Sequence, residues 1–267
     1  MSSLPKEIVL VTGANKNIGF EIVRALLLST KPYHVYLGSR DLARGEQAVA
    51  QLKTECPSTA NSVSPIKLDV SSDTDIHSAF TKIQTEHGRL HVLINNAAIN
   101  ADIPHLKGEI SLRESFLNSY DTNVASVAVI TSTFLPLLLG SSDPRILFIS
   151  GLGTFSSCAK GDMPLPPALP LGWPKGLTFE TVAYRCTKTA LNMLMLDYFW
   201  KLKNDQVKIW SVGPGFLETD LGGAREFARS QGAGHPGEGG EFVRTVVEGD
   251  RDEDVGKYVV KGGIQEW

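Results

Sequence analysis

Along this chain, short apolar runs alternate with longer stretches whose apolar positions recur every three to four residues. The runs at 7–12, 33–38, 64–69, 90–95, 145–150 and 207–212 read as strands. Ile8 to Val11 is apolar at four consecutive positions, the pattern of a strand covered on both faces. The stretches at 18–29, 41–54, 73–86, 111–139 and 179–203 read as helices. Strands separated by helices of this length predict right-handed βαβ units and a doubly wound parallel sheet of the α/β class, in a single domain over 1–267. Two segments break the alternation. Residues 153–178, with Pro164, Pro166, Pro167, Pro170 and Pro174, read as a lid-like insertion. Residues 213–240 are rich in glycine and read as a mobile substrate-binding loop.

Composition narrows the classes. With 267 residues, 42% of them hydrophobic, the chain suits one large α/β core better than two small ones. A net charge of −3 offers nothing to attract nucleic acid or an anionic membrane. Cys56, Cys158 and Cys186 are far apart and odd in number, which argues against a disulfide framework or a zinc site and fits a reducing compartment. The first residues show no basic segment followed by a long apolar run, so the expectation is a cytoplasmic protein acting on a small molecule. The longest apolar stretch, Val124–Leu139, is interrupted by Ser126, Thr131, Ser132, Thr133 and Pro136 and reads as a sheet-covering helix rather than a membrane span.

The first turn carries the first chemistry. Gly13 and Gly19, with Asn15, Lys16, Asn17 and Ile18 between them, join strand one to an apolar-periodic helix. Such a turn brings backbone N–H groups and a positive helix end against a pyrophosphate. Asn17 stands where the usual dinucleotide pattern has glycine, and asparagine tolerates left-handed backbone. Strand two ends at Ser39–Arg40, where an acidic residue would select NAD and a basic one would pair with a 2′-phosphate. Arg40 with Lys16 therefore points to NADP(H), the plain alternative being two ordinary surface cations. Asp69 and Val70, ending strand three, suit an adenine, and Asp69 could instead cap the next helix. Asn95, Asn96, Ala97 and Ala98, ending strand four, suit close approach to a ribose.

Tyr184 and Lys188 lie four apart on a predicted helix and so share one face. An ammonium beside a phenol favours phenolate and should lower the phenol's pKa, as a general acid for carbonyl reduction requires. The spacing alone is weak; its position after the nucleotide loop and the Asn-Asn-Ala segment gives it weight.

Taken together, Thr12-Gly13 through Gly19, Asp69, Asn95 to Ala98, Asn123, Tyr184-x-x-x-Lys188 and Gly213-Pro214-Gly215 running to Thr219 resemble the short-chain dehydrogenase/reductase family over essentially the whole chain. The Gly172-Trp173-Pro174 segment and the chain end Gln265-Glu266-Trp267 look like its carbonyl-reductase branch and fungal relatives. The resemblance implies a Rossmann-like fold, NADP(H), and ketone/alcohol interconversion with Tyr184 as proton donor. It implies that Lys188 holds the nicotinamide ribose, that Asn123 anchors a proton-relaying water, and that Pro214, Gly215, Leu217 and Thr219 wrap the nicotinamide end. The family's catalytic serine follows strand five; here the best register puts Gly151 in that slot, with Ser150, Thr154, Ser156 and Ser157 as candidate substitutes. Phe155, Trp173, Leu217 and Phe227 are candidate walls of an apolar pocket. Both monomer and homodimer stay open. So do two other functions: non-redox chemistry on the same scaffold, and a non-catalytic NADP(H)-binding role.

Overall fold

The computed structural model describes residues 5–151, 155–160, 170–173, 175 and 181–267. In chain order its first half runs β1 (Glu7–Val11), α1 (Asn17–Leu27), β2 (Tyr33–Ser39), α2 (Leu42–Glu55), β3 (Ser62–Lys67), α3 (Asp73–His87), β4 (Val92–Asn95), α4 (Asp102–Leu106), α5 (Leu112–Tyr120) and α6 (Ser126–Leu138). The second half runs β5 (Arg145–Ile149), α7 (Phe155–Lys160), α8 (Val182–Lys201), β6 (Lys208–Gly213), α9 (Arg225–Ser230), α10 (Pro236–Glu248), β7 (Tyr258–Val260) and β8 (Gly263–Ile264).

The strands form one sheet in the order β3-β2-β1-β4-β5-β6-β7-β8, parallel as far as β7, with β8 antiparallel at the edge. Strand order reverses between β1 and β4, so the carboxyl ends of β1, β4 and β5 open onto one crevice, where ligands of such sheets bind. Alternate strand residues feed two cores. On one face Val9, Val11, Val35, Leu147 and Val212 pack with α1 and α10; on the other Leu10, Leu93, Ile146, Phe148 and Ile209 pack with α3, α6 and α8. The six predicted strands and the doubly wound order are all present.

Helices α5 and α6 are joined through a π-helical turn at Asp121–Ala125, so 112–138 is one helical run. By length and apolar composition this run could cross a membrane. Here Val127, Ile130, Phe134, Leu137 and Leu138 are instead buried against the sheet, as the sequence pattern predicts.

The glycine-rich segment read as a mobile loop differs from expectation. It contains α9 and the start of α10, whose Gly240 lies so close to α1 that a Cβ there would sit 2.5 Å from the backbone carbonyl carbon of Glu21. The glycine serves tight helix packing rather than mobility. Strands β7 and β8 also lay outside the sequence reading.

Candidate active site

The crevice is a cleft of about 410 Å³, within the range of small-molecule sites. Gly13, Asn15 to Gly19, Ser39, Arg40, Asp69, Val70, Asn96 to Ala98, Ser150, Tyr184, Lys188 and Thr219 all line it. The segments that the sequence analysis linked only by order along the chain therefore meet in space.

At its phosphate end the backbone is held by close contact. Gly13 is left-handed (φ +61°), and a Cβ there would meet Ala97 Cα at 2.9 Å. A Cβ on Gly19 would meet Asn96 Nδ2 at 2.5 Å. The Asn96 amide donates to the carbonyls of Thr12 (2.8 Å) and Gly13 (3.1 Å), while Thr12 Oγ1 accepts from the N–H groups of Asn96 and Ala97. Asn96 thus binds the glycine turn to β4. Asn17 adopts φ +52°, the left-handed geometry expected of a glycine substitute. Its Oδ1 also accepts from Asp220 N (3.3 Å) and from the Arg225 guanidinium (2.8 Å), which ties the turn to the segment after β6.

One side of the cleft holds three cations. Lys16 and Arg40 line the cleft as expected, and Arg44 of α2 joins them. Lys16 Nζ pairs with Asp220 at 2.9 Å, both half exposed. Asp41 caps α2 by accepting from Arg44 N at 3.2 Å. Asp69 Oδ1 accepts from Ser71 N and Oγ, and Ser72 rather than Asp69 caps α3. Asn95 faces the core, donating to Thr131 Oγ1 at 3.1 Å.

At the catalytic end, α8 presents Tyr184 and Lys188 to the cleft. Lys188 Nζ donates to the Ile149 carbonyl at 2.7 Å and lies 5.5 Å from the centre of the Tyr184 ring. The expectation of a softened phenol is not met. Burial disfavours phenolate and pushes Tyr184 well above its usual range, with Tyr258 adding to the rise. Burial pushes the Lys188 ammonium down to about 7. Desolvation is the main cause of both shifts.

A Cβ on Gly151 would lie 3.2 Å from the Tyr184 hydroxyl and 3.4 Å from Lys188 Cγ. Residue 151 therefore faces the phenol, as the register predicts. Ser150 turns to α8, donating to Asn192 Oδ1 at 2.8 Å, because consecutive strand-end residues point to opposite sides. Ser156 binds the Trp267 carbonyl and does not line the cleft. Thr154 lies outside the described residues, as does most of 153–178, and of Ser157 only the backbone is described. Asn123, in the π-turn, accepts from Ile99 N (2.9 Å) and donates to Ile99 O (2.9 Å) and Thr187 Oγ1 (3.0 Å). Both amide hydrogens are spent, so its side chain works as a strut between the segment after β4 and α8.

Thr219 lines the cleft, joined by Asp220 to Gly222; Pro214, Gly215 and Leu217 do not. Leu217 packs on α10, where a Cβ on Gly239 would meet it at 2.5 Å. Phe155, Trp173 and Phe227 are exposed and line no part of this cleft.

Several contributors escaped the sequence reading. Tyr258 of β7 donates to the Gly151 carbonyl at 2.7 Å and stacks on Trp267. An apolar triplet between Gly256 and Gly262 was its available signal. Asp102, Asn192 and Arg225 had none, since each acts through a partner far away in sequence.

Comparison with known proteins agrees with this geometry. Residues 7–161 match the short chain dehydrogenase family model. The chain is 44% identical over 262 residues, 97% of its length and 96% of the relative's, to the short-chain dehydrogenase/reductase tropE of Talaromyces stipitatus. It is 26% identical over 300 residues to carbonyl reductase (NADPH) 1 of Bos taurus, covering 97% of this chain and 98% of that one. The NADPH-bound carbonyl reductase structure from chicken fatty liver superposes with a TM-score of 0.78 at 23% identity, covering 99% of this chain and 100% of that one, a likeness of fold. With the nucleotide turn, the Tyr184–Lys188 pair and the sheet order all in one place, the chain belongs to the short-chain dehydrogenase/reductase family of nicotinamide-dependent oxidoreductases.

Proposed function

We propose that this chain is an NADPH-dependent oxidoreductase that interconverts a ketone or aldehyde with an alcohol, Tyr184 serving as general acid in reduction and general base in oxidation. The observation that carries the reading is that Tyr184 and Lys188 open onto the same cleft as the glycine turn. The residues present fit a dinucleotide. Gly13 and Gly19 leave no room for side chains where backbone must approach a phosphate, and α1 starts at that point. Lys16, Arg40 and Arg44 suit a 2′-phosphate. The names of two relatives, both NADPH carbonyl reductases, support the same choice.

When bound, the reduced nicotinamide supplies the hydride that adds to the carbonyl carbon. This chain's residues manage the proton. Tyr184, kept protonated by burial, donates from its hydroxyl to the carbonyl oxygen as charge develops there. Lys188, with its pKa near 7, takes up a proton at little cost near neutrality. Once charged, it stabilises the phenolate left behind. Ile149 O and the Asn123–Thr187 strut keep both groups in register.

Tyr184→Phe tests the assignment across a panel of ketones and aldehydes. Turnover should fall at least about 100-fold while NADPH affinity holds, as expected for loss of a general acid. Near-normal turnover would overturn it. One observation favours a second reading, a cyclisation or isomerisation on the same scaffold: Gly151 supplies no hydroxyl beside Tyr184. Wild-type protein that binds NADPH yet oxidises none with any carbonyl would decide for that reading. The exposed apolar residues Val129 and Met193, on α6 and α8, keep a homodimer through these helices as the expected assembly alternative to a monomer.

A further inference from the structure

The start of α8 is held by a carboxylate from another part of the chain. Asp102, the first residue of α4, is fully buried. Its Oδ1 accepts from Ala183 N at 3.0 Å and its Oδ2 from Tyr184 N at 2.9 Å. Ser115 Oγ of α5 also donates to Oδ1, at 3.4 Å. Asp102 is itself fixed, since its backbone N–H donates to Asn100 Oδ1 at 3.1 Å.

The first N–H groups of a helix have no partner within it, and a side chain at the N-cap usually satisfies one of them. Here a single carboxylate satisfies two, from 81 and 82 residues upstream. A buried carboxylate is costly unless it is well bonded. Two charge-assisted bonds and the positive end of a long helix offset that cost. One of the two groups held is the N–H of Tyr184 itself.

We infer that Asp102 is a positioning residue for the proton donor, fixing the backbone of Tyr184 relative to the cleft. The inference rests on the proposed role of Tyr184. Lys188, one turn further along, is held separately by the Ile149 carbonyl. The segment 96–102 thus grips the catalytic helix twice, through Asp102 at Ala183–Tyr184 and through the Ile99–Asn123–Thr187 contacts one turn later. The same segment lines the cofactor cleft from Asn96 to Asn100. Loosening its first grip displaces the phenol while leaving the glycine turn and Lys188 in place.

The test compares Asp102→Ala and Asp102→Asn with wild type and Tyr184→Phe, all as the full chain. The measurements are kcat and KM for a ketone, NADPH Kd by fluorescence, thermal melting, and the solvent deuterium isotope effect on kcat. The expected result is a fall in kcat of about 100-fold for alanine and about 10-fold for asparagine, which keeps one acceptor, the scale of loss known for slight misplacement of a reacting group. NADPH Kd should stay within about twofold, because the phosphate end is built from other residues. The solvent isotope effect should rise as proton transfer becomes rate-limiting. A purely structural role would lower the melting temperature and the active fraction without changing the isotope effect, and that outcome overturns the inference. So does an unchanged kcat, or a failure of both variants to fold. If Tyr184→Phe retains turnover, the functional reading fails first; if it is inactive while Asp102→Ala is not, only the positioning role is lost.

Discussion

The phosphate end and the catalytic end of the cleft are built in different ways. The phosphate end is a matter of backbone approach: Gly13 and Gly19 sit where any Cβ would strike Ala97 or Asn96, and the Asn96 amide fastens turn to strand. Its glycines and the strand end that fastens them come from two short segments, 13–19 and 96–97. The catalytic end is assembled from distant pieces. Tyr184 is anchored by Asp102, Lys188 by Ile149, Thr187 by Asn123, and the Gly151 carbonyl by Tyr258. One end is specified by what is missing from its side chains, the other by what remote side chains hold in place. That difference explains why a glycine turn is read easily from sequence while the parts that orient a catalytic helix are not.

Three changes beyond Tyr184→Phe would break or sharpen the contrast. The largest effect is expected from Arg40→Asp at the phosphate end. Replacing a cation by an anion should cut the preference for NADPH over NADH at least about 30-fold, the scale of one or two charged hydrogen bonds. Retained preference in paired Kd measurements would show that Lys16 and Arg44 read the phosphate without it.

The next effect concerns Lys188 and pH. Its folded pKa of about 7 lies below the ordinary 10.5. Between those values the unfolded chain binds a proton that the folded chain has shed. Stability of the cofactor-free protein therefore rises with pH across this window, by at most about 1.4 kcal/mol per pH unit from this group. Below pH 7 both states are protonated and the gain is absent. Lys188→Met should flatten this dependence in melting curves taken from pH 6 to 9; an identical slope in both proteins would contradict the burial argument.

The smallest effect tests the serine slot. Gly151→Ser places a hydroxyl beside the Tyr184 phenol, with its Cβ 3.2 Å from that oxygen in the present backbone. Extra polarisation of the carbonyl should raise kcat for simple ketones about threefold with little change in KM, well short of the full value of a preorganised donor. A fall in kcat would mean that the pocket uses the space the glycine leaves.

The doubly wound sheet was legible because apolar runs and helical periods are local signals, and six strands fell where the pattern put them. The glycine turn, the Tyr184–Lys188 pair and the Gly151 register were legible for the same reason: each depends on residues a few positions apart. Other readings turned on packing. The 213–240 glycines are shared between loop and helix, and only contact with Glu21 shows that Gly240 belongs to a tight helix pair. The strand end turns the Ser150 hydroxyl toward Asn192. The phenol was expected to soften, yet burial raises its pKa.

By itself, then, the sequence determined the order of elements, the glycine turn and the Tyr184–Lys188 pair, since covalent spacing and side-chain type act over a few residues. Only the tertiary structure decided which carboxylate grips the start of α8, which partner the Ser150 hydroxyl takes, and which protonation state burial favours. Those outcomes depend on desolvation and on hydrogen bonds between groups some 40 to 110 residues apart, distances over which the linear pattern carries no geometric information.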